Sequence, residues 1–462
     1  MKRVIVAGGG ASGLMAAITA ARNGAAVTIL ESMERAGKKL LLTGNGRCNL
    51  THMDEHPEES CFGAEPAFIK AVMQQLSPEE VRCFFRELGL ATIEKNGYVY
   101  PVTGQAWSVL AVLTTELRRL KVKLKLSEKI VSIERKEALW QVHTASWCYE
   151  AEALILACGS KAAPKTGSDG SGYELARIAG HRITPVFPAL TPVICREPFP
   201  ASLAGVRCRA AVSLYRVENS EKGGSCYGRE SSRSQQEKQK YTLIRRETGE
   251  LQWTSYGISG ILIFQISRFV SKTGQHTDRL YLELDLLPDL TLEELEKLLV
   301  ELSDRLPQEK VSSLLAGLLP EKLIPVILQR AGMSAKMTGS QFFSSNNEGQ
   351  EKAGKKISAG SDYEKKKITT PLGNLTAAIK HFHINIKGTK SFETCQVCGG
   401  GVDTRQIDGL TLQSKIHPGL YFAGELLDVD GLCGGYNLQW AWASGYVAGK
   451  YAAGMQGGTD II

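Results

Sequence analysis

The first 31 residues contain glycines and one acid at a spacing that could bind the phosphates and ribose of a nucleotide. Gly8, Gly10 and Gly13 form a G-x-G-x-x-G pattern, and Glu31 follows eighteen residues after the last glycine. The first glycine permits a tight turn, the second lets the backbone approach a pyrophosphate, and the third allows close helix–strand packing. A helix that begins here directs N–H groups at the phosphates. Glu31 is placed to accept hydrogen bonds from a ribose diol.

The elements that must position these residues are also present. An apolar strand is expected over Val4–Ala7, an Ala-rich helix over Leu14–Arg22, and a second strand over Ala26–Leu30 that runs into Glu31. A glycine triplet alone also occurs in ordinary α/β turns, whereas strand, glycines, helix, strand and acid together form the dinucleotide fingerprint. The sequence therefore predicts a dinucleotide-binding domain.

A second feature, near the C-terminus, favours FAD over NAD. An apolar strand ends in Gly424 and Glu425, and two glycines then precede a helix over 438–454. A flavin needs an acid or backbone group for its ribityl hydroxyls and a helix N-terminus near N1 and the C2 carbonyl, where negative charge collects on reduction.

The candidates for these flavin contacts come from two parts of the chain. The C-terminal part provides Glu425 and the N–H groups of Gly435, Tyr436, Asn437 and Leu438. The other part is a further apolar strand, which ends in Ala157 and Gly159. A small residue at that strand end permits close backbone approach.

Composition limits the class of protein. A chain of 462 residues predicts two or three domains, and 43% hydrophobic with 22% charged residues is typical of globular proteins. The apolar runs are too short for a membrane span, and glycines occupy the place where a secretory signal would be apolar. We therefore expect a cytoplasmic protein without membrane partners, whose oligomeric state the sequence leaves open.

Eleven cysteines without a small-domain framework are typical of reduced thiols. Cys395 and Cys398 form the one C-x-x-C pair, and no second pair or His cluster completes a metal site, so we expect two buried thiols on a strand and no metal. Much of the net charge of +7 lies in two low-complexity stretches, 221–240 and 348–367, which we interpret as solvated loops. Because aromatic residues are sparse among these cations, a nucleic-acid partner is disfavoured.

The order of predicted elements indicates a split nucleotide domain. Helices are expected over 65–75, 78–88, 106–120 and 172–180, and strands over 122–126, 130–135, 139–144 and 153–157. Antiparallel strands follow residue 188, then a helix over 291–302 and a helical patch over 311–330, before strands return near residue 392.

The chain also resembles a known family, the bacterial FAD-dependent oxidoreductases of the BaiN/YhiN type, which are aminoacetone-oxidase-like flavoproteins. The resemblance covers nearly the whole length. It rests on Thr43-Gly-Asn-Gly-Arg-Cys-Asn49, on Tyr256-Gly-Ile-Ser-Gly260, on Ser414-Lys415 before the Gly424-Glu425 strand, and on 428–440. The chain departs from the family at Ile261-Leu262, where a proline commonly follows the glycine, and in its two Lys-rich stretches.

The resemblance implies an α/β fold in which a Rossmann-type FAD-binding domain is split by a β-barrel-like domain with a small helical subdomain. The expected boundaries are 1–188 and 389–462 for the FAD domain and 189–388 for the insertion, with the helical part at about 289–335.

The resemblance also places the 43–49 loop near the pyrophosphate and the flavin. From the residues themselves, Arg47 suits a phosphate or the flavin face, and Lys38 or Lys39 suits the diphosphate. Val131 is a candidate for backbone contact with adenine, with a plain core valine as the alternative. The remaining residues expected to contact the cofactor are Ala11 and Ser12 of the glycine loop and Gly44, Gly46, Cys48 and Asn49 of the 43–49 loop.

The resemblance implies reduction of a small molecule, a 3-oxo-Δ4 or Δ4,6 bile-acid intermediate, with NADH or NADPH as a transient donor. Because the chain has one dinucleotide fingerprint, we expect ping-pong kinetics. Candidate catalytic groups are Tyr436 and Tyr256 as carbonyl donors and Cys433 as a proton source, with Trp440 or Trp442 as an apolar wall. For each aromatic residue, ordinary core packing is the alternative. Two other functions stay open, an O₂-using amine oxidase and a flavin-dependent RNA-modifying protein.

Overall fold

The chain folds into two compact units that are interleaved in sequence. The computed structural model describes residues 1–218, 240–274, 277–342, 344 and 370–455. The first unit comprises 1–190 and 390–462, and the second comprises 191–389. Apart from Lys240, the two stretches interpreted as solvated loops, 221–240 and 348–367, lie outside the described residues.

The strands of the first unit, up to its interruption, are β1 (Arg3–Ala7), β2 (Ala26–Leu30), β3 (Thr51–His52), β4 (Cys61–Gly63), β5 (Thr92–Lys95), β6 (Tyr98–Pro101), β7 (Lys123–Lys125), β8 (Ile130–Lys136), β9 (Leu139–Thr144), β10 (Cys148–Ala151), β11 (Ala153–Leu156) and β12 (Phe187–Ala189). The second unit contains β13 (Val193–Cys195), β14 (Arg207–Glu218), β15 (Lys240–Thr254), β16 (Gly257–Ser259), β17 (Leu280–Asp285) and β18 (Phe382–Thr389). The chain then returns to the first unit with β19 (Val397–Gly399), β20 (Leu420–Phe422) and β21 (Val429–Gly431).

The α-helices within the described residues are α1 (Ala11–Arg22), α2 (Pro66–Met73), α3 (Pro78–Glu87), α4 (Ala106–Arg119), α5 (Ser171–Ile178), α6 (Phe199–Ser202), α7 (Ile261–Lys272), α8 (Leu292–Arg305), α9 (Val311–Leu314), α10 (Ile324–Arg330), α11 (Pro371–Lys380) and α12 (Tyr436–Ala452).

A five-stranded parallel sheet forms the centre of the first unit. Its order is β20-β11-β1-β2-β7, with Val4 paired to Val27 on one side and to Ala153 on the other. The inner strands are apolar on both faces, which is typical of a parallel sheet covered by helices. Because all five strands run the same way, the residues that follow their carboxyl ends share one edge.

Helices α1 and α12 pack side by side with almost no space between their backbones. A Cβ atom on Gly445 would lie 2.4 Å from the carbonyl oxygen of Ser12, and one on Gly449 would lie 2.4 Å from that of Ala16. Both contacts advance by four residues in the same direction, so the two helices run parallel. Their N-termini therefore face the same way.

The second unit is a closed barrel of order β13-β16-β15-β14-β17-β18, in which the paired strands are antiparallel. Trp253 and Phe382 meet edge to face in its core, with ring centroids 5.9 Å apart. Helices α8, α9 and α10 contribute to the same core. The predicted fold, a split Rossmann-type domain with an inserted barrel and helices, is confirmed.

Several predicted helices have different bounds in the structure. The patch over 311–330 is two separate helices, α9 and α10, and Pro320, which has no N–H group to continue a helix, lies between them. The C-terminal helix begins at Tyr436 rather than at 438, directly after Gly435 in the left-handed conformation with φ +106°.

Candidate cofactor-binding site

The residues that follow four strands of the parallel sheet lie at one edge. Gly8 follows β1, Glu31 follows β2, Ala157 follows β11, and Gly424 and Glu425 come soon after β20. In open α/β sheets, ligands bind in the crevice outside the carboxyl ends of the strands. The fold therefore brings together the fingerprint and the C-terminal residues that the sequence placed around one cofactor.

The glycine loop leaves space where a phosphate would lie. A Cβ on Gly8 would meet the carbonyl oxygen of Ala157 at 2.5 Å, whereas one on Gly10 would meet no described atom within 4 Å. No side chain caps α1, and its first turn contains no acid. Since Ser12 and Gly13 are buried, the unpaired N–H groups of this turn need an acceptor such as a pyrophosphate.

Glu31 is fixed by backbone N–H groups. Its Oε2 accepts a hydrogen bond from Gly9 N at 2.6 Å, and its Oε1 accepts one from Met33 N at 2.8 Å. The residue is 8% exposed. Oε1 also accepts a hydrogen bond from Ser32 Oγ at 3.3 Å, whereas Oε2 accepts only the one from Gly9 N among the described residues. Oε2 can therefore accept a further hydrogen bond, such as one from a ribose hydroxyl, while Glu31 also holds the loop.

Glu425 is tied to two residues from other parts of the chain. Its Oε2 lies 2.6 Å from Lys39 Nζ and 3.0 Å from Ser160 Oγ. Lys38, the other candidate for the diphosphate, pairs instead with the exposed Glu34 at 3.1 Å. Of the two adjacent lysines, only Lys39 therefore lies at the carboxyl edge of the sheet.

The N-termini of the parallel helices α1 and α12 lie at different positions along their common direction. No side chain caps α12 either, and its first turn also contains no acid. From the contacts of Gly445 and Gly449, the N-terminus of α12 extends about eight residues beyond that of α1, or about 12 Å at 1.5 Å per residue.

The 43–49 loop has a backbone that few side chains adopt. Gly44 and Gly46 have positive φ, and so do Asn45 (φ +56°) and Cys48 (φ +57°). Such strain concentrates at ligand sites. Arg47 is exposed and makes no ion pair with any residue that the structure describes. Burial raises the pKa of the Cys48 thiol to about 12, so this cysteine contacts its surroundings as a neutral group.

Asn49 supplies an independent indication of a ligand. Its Oδ1 atom is buried and has no hydrogen-bond partner among the described residues. A buried acceptor without a donor costs about 1–3 kcal/mol, so an N–H or O–H group of a bound molecule would stabilise it. The edge therefore offers the kinds of group that FAD requires: the carboxylates of Glu31 and Glu425, the uncapped starts of α1 and α12, and the unpartnered Oδ1 of Asn49.

The start of α12 differs in detail from the sequence-based reasoning. A Cβ on Gly435 would lie 2.7 Å from the backbone carbon of Thr51, so a neighbouring strand already requires this glycine. Asn437 uses its side chain to pin Gly431, accepting from its N and donating to its O, both at 2.8 Å. The backbone N–H groups of α12 stay available, whereas the side chain of Asn437 is already occupied.

Tyr436 belongs to a small polar and aromatic cluster. Its hydroxyl donates to Asp54 Oδ2 at 3.2 Å, and its ring stacks on His52 with centroids 5.3 Å apart. Burial raises the pKa of Tyr436, which therefore stays protonated. Sequence reasoning missed His52 and Asp54. The feature of the sequence that could have identified them is their position, since both closely follow the 43–49 loop.

The other candidates are dispersed. Tyr256 belongs to the barrel unit, and Cys433 is partly buried between β21 and α12. Val131 is 57% exposed and lies at a register shift in β8, so the alternative of a core valine is wrong. Trp440 and Trp442 do not form a pocket wall, because they are 1% and 0% exposed and donate to the carbonyls of Gly424 and Leu50.

Two kinds of site receive no support within the described ranges. No group of three or more His, Cys, Asp or Glu side chains there is arranged to hold a metal ion. No described helix combines the length and apolarity needed to span a membrane.

Comparison with known proteins identifies the family. A family model described as the HI0933-like protein Rossmann domain matches residues 2–451. The chain belongs to this family. The resemblance to BaiN/YhiN-type flavoproteins is therefore confirmed, and the predicted class, an FAD-dependent oxidoreductase, is supported.

Three curated relatives align over nearly their full length. A 3-dehydro-bile acid delta(4,6)-reductase of Clostridium scindens is 39% identical over 98% of this chain and 99% of its own. Ribosomal RNA dihydrouridine synthases of Haemophilus influenzae and Escherichia coli are 28% and 25% identical, each over 96% of both chains.

The role of Glu31 leads to a first prediction. Glu31→Gln removes the charge and one of the two acceptor oxygens, so we expect FAD affinity to fall by about 1–3 kcal/mol. Titration of apoprotein with FAD, followed by quenching of flavin fluorescence, measures the change. Glu34→Gln is the matched control, because that carboxylate is exposed and pairs only with Lys38 among the described contacts. Equal affinities for wild type and Glu31→Gln would contradict the assignment of the ribose to Glu31.

Proposed function

We propose that this protein is an NAD(P)H-dependent ene reductase that saturates a C=C bond conjugated to a carbonyl group. Two observations support the proposal. The N-termini of the parallel helices α1 and α12 are uncapped, and Glu31 and Glu425 follow the strands of the adjacent sheet. A relative that is 39% identical aligns over nearly its full length. When bound, FAD would accept a hydride from the nicotinamide and deliver it from N5 to the β-carbon of the substrate.

The side chains would support this chemistry by charge and position. The N–H groups at the start of α12 provide partial positive charge where the reduced cofactor is negative, worth on the order of 1 kcal/mol. Lys39 adds a full charge at the same edge while it pairs with Glu425. Glu31 and the start of α1 would anchor the adenosine and pyrophosphate and so orient the ring.

The proposed substrate is a 3-oxo steroid with a Δ4 or Δ4,6 double bond. The 39% identical relative supports this proposal, because it is named as a 3-dehydro-bile acid delta(4,6)-reductase. The other relatives are named for dihydrouridine, which is uridine with two hydrogens added across a ring C=C bond next to a carbonyl. Both names therefore describe saturation of an activated C=C bond. This shared chemistry supports the reaction class more strongly than either substrate.

The groups that would polarise the substrate carbonyl and protonate the α-carbon are a further part of the proposal. Tyr436 and Tyr256 are the candidates for the carbonyl, and Cys433 is the candidate proton source. The hydroxyl proton of Tyr436 is directed to Asp54, so Tyr436 would polarise a substrate carbonyl only after exchanging that partner.

A second candidate function is reduction of uridine in RNA. Two relatives carry that name, and the described surface has a basic run in which Arg118, Lys121, Lys123 and Lys125 are exposed. Such a run suits phosphate contacts, which carry most non-specific affinity for nucleic acids. An O₂-using amine oxidase stays a third possibility without a specific observation in its favour.

Half-reactions distinguish these functions. We expect anaerobic NADH or NADPH to bleach the flavin, and a 3-oxo-Δ4 steroid to reoxidise it faster than a primary amine, an unmodified ribosomal RNA fragment or O₂. The chain has one dinucleotide fingerprint, which is assigned to FAD, so the nicotinamide would have to leave before the substrate enters. Initial rates should therefore give parallel double-reciprocal lines. Reoxidation by the RNA alone would favour the second function, and peroxide release from an amine without NAD(P)H would favour the third.

The two adjacent lysines provide a matched pair of variants. Lys39→Met removes a positive charge next to Glu425, so we expect the flavin potential to fall by tens of millivolts, 30 mV being about 1.4 kcal/mol for a two-electron couple. Reduction by NAD(P)H should slow accordingly. Lys38→Met, which loses only an exposed pair with Glu34, should leave the potential unchanged. Equal potentials in both variants would show that Lys39 does not act on the flavin.

A further inference from the structure

A small antiparallel sheet lies beside the start of α12. Its strand order is β3-β6-β5, and Thr51 of β3 is the residue whose backbone a Cβ on Gly435 would meet at 2.7 Å. Strands β5 and β6 are joined by Asn96 and Gly97, which both have positive φ, +52° and +82°. A two-residue turn of this kind matches the twist of the strands that it joins, so it fixes their register.

The register gives this sheet one buried face and one open face. Thr51 and Val99 lie opposite each other on β3 and β6, and both are 0% exposed. Because side chains alternate along a strand, Tyr98 and Tyr100 on either side of Val99 lie on the opposite face. Ile93 of β5 lies directly across from Tyr100, so it belongs to that open face as well.

The open face extends one residue beyond β6. The N–H of Val102 donates to the carbonyl oxygen of Ala91 at 2.9 Å, so Val102 continues the alternation of Tyr98 and Tyr100. The exposed fraction is 36% for Tyr98, 55% for Ile93 and 62% for Val102. We call Ile93, Tyr98, Tyr100 and Val102 the hairpin face. Single exposed apolar residues are ordinary, whereas a contiguous patch of them marks a binding surface.

One end of the hairpin face meets the candidate cofactor site. His52 lies opposite Tyr98, and the two rings meet edge to face with centroids 5.0 Å apart. The His52 ring also stacks on Tyr436, the first residue of α12. A Cβ on Gly434 would lie 3.2 Å from Tyr98 Cε1. The hairpin face therefore begins at the start of α12 and continues from Tyr98 to Val102, which is about 13 Å at about 3.3 Å per residue.

The chemistry of the hairpin face changes along its length. The end next to α12 is aromatic, and the other end is aliphatic. Lys95 lies opposite Tyr98, and burial raises the pKa of Tyr100 while the charge of the nearby Arg47 partly offsets that rise. Both cations are exposed, and none of the four residues of the face is acidic. Such a surface suits a flat, apolar ligand that is neutral or anionic.

We propose that the hairpin face binds the apolar ring system of the substrate, with the reacting ring beside Tyr98 and the remaining rings on Ile93 and Val102. This inference rests on the proposed function and deepens it, because it names the surface that would select a steroid. A steroid is a rigid plate of fused apolar rings. It can therefore cover both ends of the face without losing internal freedom on binding.

The other two substrate classes fit this face less well. A uridine base is a single polar ring, which could stack on Tyr98 but would leave Ile93 and Val102 in water. An amine is a cation at neutral pH, and the positive charges of Lys95 and Arg47 would repel it. The aliphatic half of the face therefore favours the steroid.

The test measures how tightly testosterone, a 3-oxo-Δ4 steroid, binds to the full chain with oxidised FAD and without NAD(P)H. Equilibrium dialysis with tritiated testosterone gives the dissociation constant. The double variant Ile93→Thr with Val102→Thr replaces apolar surface by hydroxyl groups, and it keeps β-branched residues on the strands. We expect its dissociation constant to rise about tenfold, because two largely exposed apolar side chains lose the surface that the steroid would bury.

Ile178→Thr is the matched control, because Ile178 is also 55% exposed but lies at the end of α5. Its dissociation constant should equal that of the wild type. FAD content and thermal unfolding check that each variant folds. If the double variant does not fold, the two single variants decide, each with an expected rise of about threefold. Equal constants for the wild type and the folded variants of the face, or a wild type that binds no testosterone, would overturn the inference.

The proposed function is judged by a separate measurement, the reoxidation of reduced flavin. If a 3-oxo-Δ4 steroid reoxidises the flavin while the variants bind testosterone as tightly as the wild type, the reaction class stands and the hairpin face is not its binding surface. If testosterone binds more weakly to the variants but never reoxidises the flavin, the binding surface stands and the reaction class is wrong.

Discussion

The backbone contact between two parallel helices is the constraint on which the rest of the site depends. Gly445 and Gly449 of α12 lie so close to the carbonyl oxygens of Ser12 and Ala16 that any side chain would force the helices apart. Because that contact fixes direction and register, it also fixes where the two uncapped N-termini stand. The spacing between them then follows from helix geometry alone.

The carboxylates of Glu31 and Glu425 lie at the same edge of the sheet, but different kinds of group hold them. Glu31 is held by backbone N–H groups, whereas Glu425 is held by Lys39 and Ser160. A buried carboxylate needs such partners, since leaving it without them is costly. The Glu31 end of the edge is therefore held together with the glycine loop. The Glu425 end depends on side chains that sequence-distant segments provide.

The sequence predicted the helices and strands and the carboxyl edge of the parallel sheet, because local sequence patterns determine them. The bounds of β2 and β9 match the apolar runs expected for them, and the glycine fingerprint requires its strand, helix and acid in a fixed order. Pairings between distant segments were not predictable in this way. Lys38 and Lys39 look alike in sequence, and only the fold decides that one reaches Glu425 while the other meets Glu34.

Contacts between distant segments were the ones that the sequence did not predict. The backbone of Thr51 lies so close to Gly435 that only a glycine fits there. Trp440 and Trp442 were placed on a pocket wall, but they fill the core. In each case the residue type was informative, whereas the segment that packs against it was not evident from the sequence. Ser160 was missed altogether, because a lone serine after a glycine carries no signal until the fold brings Glu425 beside it.

The central claim is that one FAD spans the edge from Glu31 to the start of α12. The most direct measurement is to denature the purified protein, separate the released cofactor by chromatography against FAD, FMN and NAD standards, and relate its amount to protein. We predict FAD in an amount equimolar with the chain. FMN, which lacks the adenosine ribose that Glu31 would bind, or a colourless protein that FAD does not reconstitute, would contradict the claim.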